Sequence, residues 1–431
     1  MNTTTLAPPR RQLNPQTRRA AKNASPHLLN ASVAALPALP ALPCVATRRE
    51  PVAHALAGAC FLLLLAVGLV SNGYGGLNDQ LKLAHPVAGW AGVMSGEPMQ
   101  QFAAAMAHAP LPQTAASLER QLSWLGSRDL GPRVREGERD WLFLGDEFTP
   151  HARATASAAS RAAEVIALRK RLAARGVDLL VVVVPDKSRT ESAHLGALHR
   201  PPEFAGRVSQ WTATLAQAGV AVLDLSSVLG ALQQKGQQAF LRTDSHWSEA
   251  GAAAAAAQVA QRAARLGGGV GVGHATGTGT GLNPATGAGL QLTARATSPR
   301  AGDLVRLAGL DGLPLLLQPR PESVQQSHFE ALVPGAPQTP GKNNDDLFGD
   351  VDLPSVALIG SSFSRTSNFA PFLALQLGAK VANFAVDGGD FAGAARAYLG
   401  SAAFKQTPPK LLIWEIPERV LQADRKGDHV E

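Results

Sequence analysis

Three side chains of this 431-residue chain have the types that acyl transfer through a serine requires: a hydroxyl nucleophile, a base and a carboxylate. Ser362 stands two residues after Gly360 in the stretch VALIGSSFSRT, Val356 to Thr366. His246 follows Asp244 by two residues in LRTDSHWSEAG, Leu241 to Gly251. The reaction needs a base to take the hydroxyl proton and a carboxylate to fix the tautomer of that base. Histidine suits the first task because it titrates near neutrality. In an extended segment side chains at i and i+2 point the same way, which brings Asp244 within reach of His246 Nδ1. Each piece also has a plainer reading, in which the serines cap a helix and the aspartate caps a loop. Other histidines, such as His194 and His199, lie at no ligand spacing, so no metal is expected, and no cofactor either.

The elements around these residues are those that would bring them together. Val356 to Ile359 reads as a short buried strand, and from about Asn368 to Leu377 the apolar positions recur with helical spacing. The serine therefore sits at a strand-to-helix turn, where free N–H groups can hold an anion. The run DLLVVVVP, Asp178 to Pro185, has the continuous apolar character of a strand buried on both faces of a parallel sheet. Helices are expected over Ala152 to Arg175, Glu203 to Ala218 and Glu249 to about Leu266. Strands are expected at Val220 to Asp224, Lys380 to Phe384 and Lys410 to Ile416. This alternation predicts an α/β class fold, three layers around a parallel sheet. An aromatic strand over 140–148 is read as the start of the folded domain. Short helices around 97–108 and 114–125 are read as part of a stalk or N-terminal elaboration over 72–137. The domain itself is placed at 138–424. Within it, 267–289 is almost wholly Gly, Thr and Ala and reads as a flexible loop. Its glycines follow no strand and make no nucleotide fingerprint. The proline-rich stretch 290–350 reads as an irregular insertion.

Charge excludes one function class. The formal net charge is +7, but residues 1–50 carry +6 of it, leaving no basic stripe for nucleic acid. That segment is read as a disordered cytoplasmic tail. Val52 to Val70 has no Asp, Glu, Lys or Arg, and nineteen residues at about 1.5 Å each nearly match a hydrocarbon core of about 30 Å. A transmembrane anchor is expected over 51–71. Arg48 and Arg49 precede it and no Lys or Arg follows until Lys82, which places everything beyond about Ser71 outside the cytoplasm. Cys44 and Cys60 are the chain's cysteines, so the exported part has no disulfide and no thiol nucleophile.

The order of parts resembles a circularly permuted SGNH-type hydrolase, with the Asp-His block first and the serine block last. More narrowly, the chain resembles the alginate O-acetyltransferases of the AlgJ/AlgX type. The matching pieces are Asp140-Trp141-Leu142-Phe143, Val184-Pro185-Asp186-Lys187-Ser188, Thr243-Asp244-Ser245-His246-Trp247, Phe348-Gly349-Asp350, Gly360-Ser361-Ser362-Phe363-Ser364 and Ile413-Trp414-Glu415-Ile416-Pro417-Glu418-Arg419. The resemblance implies a single-pass protein of the inner membrane with its catalytic domain in the periplasm. It would O-acetylate an exopolysaccharide, supplied with acetyl groups by a membrane-bound O-acyltransferase. It further implies an acetylated Ser362, with His246 as base and Asp244 as its orienter. Oxyanion and substrate candidates are the Ser362 N–H, Gly388, Gly389 and Asn383, then Lys187 for an acidic sugar, with Trp247 and Trp414 for stacking on a sugar ring. For Lys187 a surface position at a strand end, and for the two tryptophans core packing, stand as alternatives. A carbohydrate esterase has the same residues, and a non-catalytic polysaccharide-binding or scaffold subunit is a third reading.

Overall fold

The computed structural model describes residues 50–77, 110–266, 290–331, 354–424 and 429–430, with isolated positions between 94 and 103. The tail before residue 50, the helix expected around 97–108 apart from those isolated positions, the loop 267–289 and the Phe348-Gly349-Asp350 motif lie outside the described residues. A helix spans Glu50–Leu77 and exposes Leu56, Phe61, Leu62, Leu63, Leu65, Leu69 and Val70. Among the described residues no helix is long and apolar enough to cross a membrane. The chain divides into two compact units, Met1–Leu69 and Val70–Glu431.

The centre of the second unit is a five-stranded sheet in the order β4 (Ala221–Asp224), β3 (Asp178–Val184), β9 (Leu411–Pro417), β7 (Val356–Ile359), β8 (Val381–Asn383). Every pairing in it is parallel, with Val181 opposite Trp414 and Leu358 opposite Ile413. The continuous apolar runs follow from the two-residue period of a strand covered on both sides. Leu179, Val181, Val183, Ala357, Ile359, Leu412, Trp414 and Ile416 face one core. That core is closed by helices Ala154–Ala173, Arg207–Gln217 and Gly393–Gly400. The alternate residues Leu180, Val182, Val184, Val356, Leu358, Leu411 and Ile413 face the other, closed by Ser226–Gln234, Glu249–Ala264 and Phe369–Leu377. The three-layer α/β arrangement expected from the sequence is thus present.

Two stretches differ from expectation. The aromatic segment is a strand only over β2 (Leu142–Leu144), which pairs antiparallel with β1 (Val134–Glu136) outside the main sheet. Residues 290–331 are regular rather than irregular: β5 (Leu290–Arg300) and β6 (Glu322–Ala331) form an antiparallel hairpin. Proline is tolerated there because a two-stranded ribbon leaves edge N–H positions unused. The tip of the hairpin folds into a helix, Asp303–Leu307, and contributes Leu304, Val305, Ala308 and Leu310 to a third small core. Trp124, Leu130, Val134 and Leu142 complete that core, so the segment expected to be a stalk is, from the helix Pro110–Ser127 onward, packed against the insertion.

Candidate active site

Strand β7 ends at Gly360 and the chain turns at once. The turn is tight because a carboxylate lies beneath it. A Cβ at Gly360 would meet the Glu415 side chain and Ser364 Oγ. Glu415, on the neighbouring strand β9, accepts from the Ser361 N–H at 2.7 Å, from Ser361 Oγ at 3.0 Å and from Ser364 Oγ at 3.0 Å. Burial raises this carboxyl above its ordinary value, an effect those serine donors offset only in part. The serines on either side of Ser362 are therefore held from below, and Ser362 opens a short 3-10 turn, Ser362–Arg365, toward a pocket. The chain then crosses two left-handed residues, Ser367 and Asn368, before entering the helix Phe369–Leu377. Such positions are strained for residues other than glycine and persist where the surroundings fix them. Here Asn368 donates to Glu249 Oε1 at 2.5 Å and to the Ser327 carbonyl at 2.8 Å, and Ser367 Oγ donates to the Trp247 carbonyl at 2.6 Å.

His246 comes from the loop before the helix Glu249–Ala264, whose first turn is capped by Ser248. Its Nε2 lies 2.7 Å from Ser362 Oγ and its Nδ1 lies 2.6 Å from Asp244 Oδ1. The same Asp244 oxygen accepts the His246 backbone N–H at 3.0 Å. Burial alone would raise the Asp244 carboxyl, but the hydrogen bonds and charge of His246 hold it well below the usual carboxylate range. The order Asp–His–Ser, end to end with hydrogen bonds of this length, permits a proton to leave the hydroxyl for Nε2 while Nδ1–H stays on the carboxylate.

The remaining sequence candidates divide. Gly388 and Gly389 line the pocket beside Ser361 and Ser362, together with Arg419, Asp146, His151 and Asp390. Their turn is docked onto the serine turn by the Val386 N–H, which donates to the Gly360 carbonyl at 3.0 Å. Gly389 is not an open donor, however, because its N–H donates to the Val386 carbonyl at 3.2 Å. Gly388, with φ +66, is the residue whose backbone shape the turn requires. Asn383 is engaged with the chain around the serine turn. Its amide donates to the Ser364 carbonyl at 2.8 Å and accepts the Ala385 N–H at 3.0 Å, so it braces the turn from outside.

Lys187 and the two tryptophans lie elsewhere than a substrate-binding role would put them. Lys187 is 1% exposed and its Nζ donates to the carbonyls of Leu142 at 2.5 Å, Arg242 at 2.8 Å and Asp244 at 2.9 Å. Burial lowers its pKa to about 8, against the pull of Glu322, Glu147 and Asp244. It is a buried clasp under the Asp244 loop, because an ammonium with three donors satisfies three converging carbonyls. Trp247 and Trp414 are fully buried, the first packed on Phe363 and Phe369, the second on Phe391. Neither offers a face to a sugar.

Sequence reasoning missed Glu415 and the hairpin's contribution. Asp303 and Arg300 both reach Asp244: the Asp303 N–H at 3.1 Å and Arg300 Nη2 at 3.4 Å, each to Oδ2. Glu322 accepts the N–H groups of Arg242 at 2.6 Å and Thr243 at 2.8 Å and so fixes the segment that carries Asp244. Ligand atoms of Asp244, His246 and Asp303 lie within 4.8 Å of one another. Their lone pairs are turned to protein N–H and O–H donors, which makes this a hydrogen-bonded cluster rather than a ligand shell facing a common centre.

Comparison with known proteins finds relatives of this chain. The model of the family described as SGNH hydrolase-like domain, acetyltransferase AlgX, matches residues 134–418. A probable alginate O-acetylase AlgJ of Pseudomonas syringae pv. tomato is 34% identical over 296 residues, 68% of this chain and 70% of that protein. Its counterpart in Pseudomonas aeruginosa is 34% identical over 320 residues, 72% of this chain and 76% of the other. Among solved structures, the O-acetyltransferase domain of Pseudomonas putida AlgJ superposes with a TM-score of 0.55 at 30% identity, covering 68% of this chain and 94% of that one.

Proposed function

This chain belongs to the family of SGNH hydrolase-like AlgX acetyltransferase domains, and from that premise we propose that it moves acetyl groups onto hydroxyls of an alginate-type exopolysaccharide through an acetyl-serine intermediate. The observation that carries the proposal is the continuous chain of short contacts from Asp244 through His246 to Ser362, at 2.6 and 2.7 Å. In the first half-reaction Ser362 Oγ attacks the acetyl carbonyl of an ester donor while its proton passes to His246 Nε2, which then gives it to the departing alkoxide. In the second, His246 takes the proton of a sugar hydroxyl as that oxygen attacks the acetyl-serine. The ester bond to Ser362 breaks and the serine recovers its proton. The Ser362 and Gly388 N–H groups are the candidate donors to the tetrahedral oxyanion.

A membrane anchor over 51–71, as read from the sequence, fits this role. Its support is the uncharged stretch Val52 to Val70, the preceding Arg48 and Arg49, and the exposed leucines of the helix. The catalytic unit then works in the periplasm at the inner membrane, and its acetyl groups come from a membrane-bound O-acyltransferase. A reporter fused after residue 100 tests this topology; cytoplasmic activity of the fusion would overturn it.

The function is tested by incubating the full chain, in detergent, with an acetyl-ester donor and alginate oligosaccharides, and reading both by mass spectrometry. Acetylated sugar together with a 42-Da adduct on Ser362, about the mass of an acetyl replacing a proton, is the expected result. Release of acetate alone in the presence of acceptor would make the protein an esterase. No turnover at all would leave the scaffold reading.

A further inference from the structure

The motif Asp244-Ser245-His246 supplies one carboxylate to the imidazole, yet His246 Nδ1 meets two. Asp303 Oδ2 lies 3.5 Å from it, a charge contact rather than a hydrogen bond. We propose that Asp303, delivered by the hairpin insertion, is a positioning residue for acyl transfer, acting with Asp244 to hold the imidazolium that forms when His246 receives the Ser362 proton. The proposal rests on the acyl-serine reading above and adds a member to its machinery.

The contact is built rather than incidental. Gly302 lies so close to the Thr243 carbonyl and the Asp244 N–H that a Cβ there would collide with backbone on both. This glycine is needed for close approach, since its φ of −74 is ordinary. Its N–H donates to Thr243 Oγ1 at 3.1 Å, and the Leu304 N–H to the Thr243 carbonyl at 3.3 Å. Ser245 then closes the pair: its N–H donates to Asp303 Oδ1 at 2.7 Å and its hydroxyl to Oδ2 at 2.6 Å. Buried Leu304, Val305, Ala308 and Leu310 anchor the hairpin tip that makes these bonds.

The charges around the ring favour this role. Two carboxylates side by side are unfavourable while His246 is neutral, and Asp303 is accordingly pushed up by burial and by the Asp244 charge. They become favourable once a positive charge lies against them. The other ionic groups on the packed elements are Arg300, 3.4 Å from Asp244 Oδ2, and Lys187, 2.9 Å from the Asp244 carbonyl; Glu322 holds the Thr243 amide, and Arg419 stands over the Phe363 ring. Among the described residues Arg300 is the one permanent cation on a relay carboxylate, and its side chain is 43% exposed, so solvent screens it.

Asp303→Asn keeps the shape and removes the charge. The expected result in the full chain is a 10- to 100-fold loss of turnover, on the scale of one general acid–base contribution. The acid limb of the kcat/KM–pH profile should also move to lower pH by about one unit, since imidazolium loses a stabilising neighbour. Combined with Asp244→Asn, the loss should fall short of the product of the two, because both act through His246. An acid limb that coincides with the unaltered protein's, whatever the turnover, overturns the proposal. Should Asp303→Asn fail to fold, Ser245→Ala removes a single hydroxyl. That donor favours the ionised form of Asp303, so its loss lets Asp303 take up a proton more readily and the limb should move the same way, to lower pH; an unmoved limb there counts against it equally. Ser362→Ala separates the two levels: full transfer by that variant overturns the acyl-serine reading itself, not merely the part given to Asp303.

Discussion

Two clusters of buried charge sit at the carboxyl ends of the same sheet, and they are built on opposite principles. Beyond β3 and β9, Asp186 and Glu418 are wrapped by three guanidiniums. Arg207 bonds both, with Nε 2.8 Å from Glu418, and Arg200 and Arg189 complete the set at 3.0 and 2.6 Å from Glu418. Beyond β7, the carboxylates of Asp244 and Asp303 share a histidine, Asp244 alone meets a half-exposed arginine, and the serine at the end of the chain of contacts opens to a pocket. The first cluster is closed and its charges are answered within it. The second is left short of positive charge until a proton arrives. Buried charge is thus closed off in one place and left beside a pocket in the other, and what distinguishes them is whether the compensating charge is permanent.

The comparison is broken most severely at the hydroxyl. Ser362→Ala or His246→Ala should reduce acetyl transfer by about 10⁴ or more while leaving the thermal midpoint nearly unchanged; steady-state assay and a melting curve check both halves. Next in size, Arg207→Ala should cost about 3–5 kcal/mol of stability by removing the buried guanidinium that bonds both carboxylates, read as a lower denaturant midpoint, with turnover per folded molecule unaltered. A large loss of turnover there would show the clusters to be one system. Glu415→Gln lies between the two. It keeps an acceptor for the Ser361 N–H but loosens the serine turn, and a loss of about 10²-fold in turnover, the scale of a 1 Å misplacement, should come with a small change in melting.

The smallest expected effect comes from pH. Burial alone would raise the Glu418 carboxyl, but the Arg189 hydrogen bond and the charges of Arg207, Arg200 and Arg189 hold it at about 2, below its ordinary 4.5. The unfolded chain therefore binds more protons in that interval, so the stability Glu418 contributes is full above 4.5 and is lost as the pH falls toward 2. Asp186 is pushed up to about 7, by burial and the Glu418 charge, and already holds its proton in that window. Urea titrations between pH 5 and pH 2 should follow this decline; a flat response would mean that the arginines do not hold the carboxylate as described.

Much of this was legible in the sequence where the signal is local. Apolar runs such as DLLVVVVP carry two buried faces in their composition, and the arrangement around Gly360 follows from a strand, a turn and a helix in close succession. Asp244 and His246 are two residues apart, so their contact needs no tertiary information. What stayed hidden is what the tertiary fold alone creates. Asp303 lies 59 positions from Asp244, and its role depends on a glycine whose need for close approach no pattern displays. Lys187 reads as a surface cation because three carbonyls converging on one ammonium leave no mark in the sequence. Glu415 did leave one: a carboxylate inside KLLIWEI, in an otherwise apolar strand, must find donors when the strand is buried.

The sheet order has a consequence for how the molecule comes into being. β9 occupies the centre of the sheet, between β3 and β7, although it is the last of the described strands along the chain. While the polypeptide is being made, β3 with β4 and β7 with β8 are able to pair, but the two halves have no strand to join them until residues 411–417 arrive. The same strand brings Glu415, which shapes the turn of Ser362. The turn of Ser362 is therefore completed late, by a non-local closure of the kind that makes parallel sheets slow to fold. The turn that carries Ser362 is thus among the last parts of the sheet to take its final shape, a timing set by the order of synthesis.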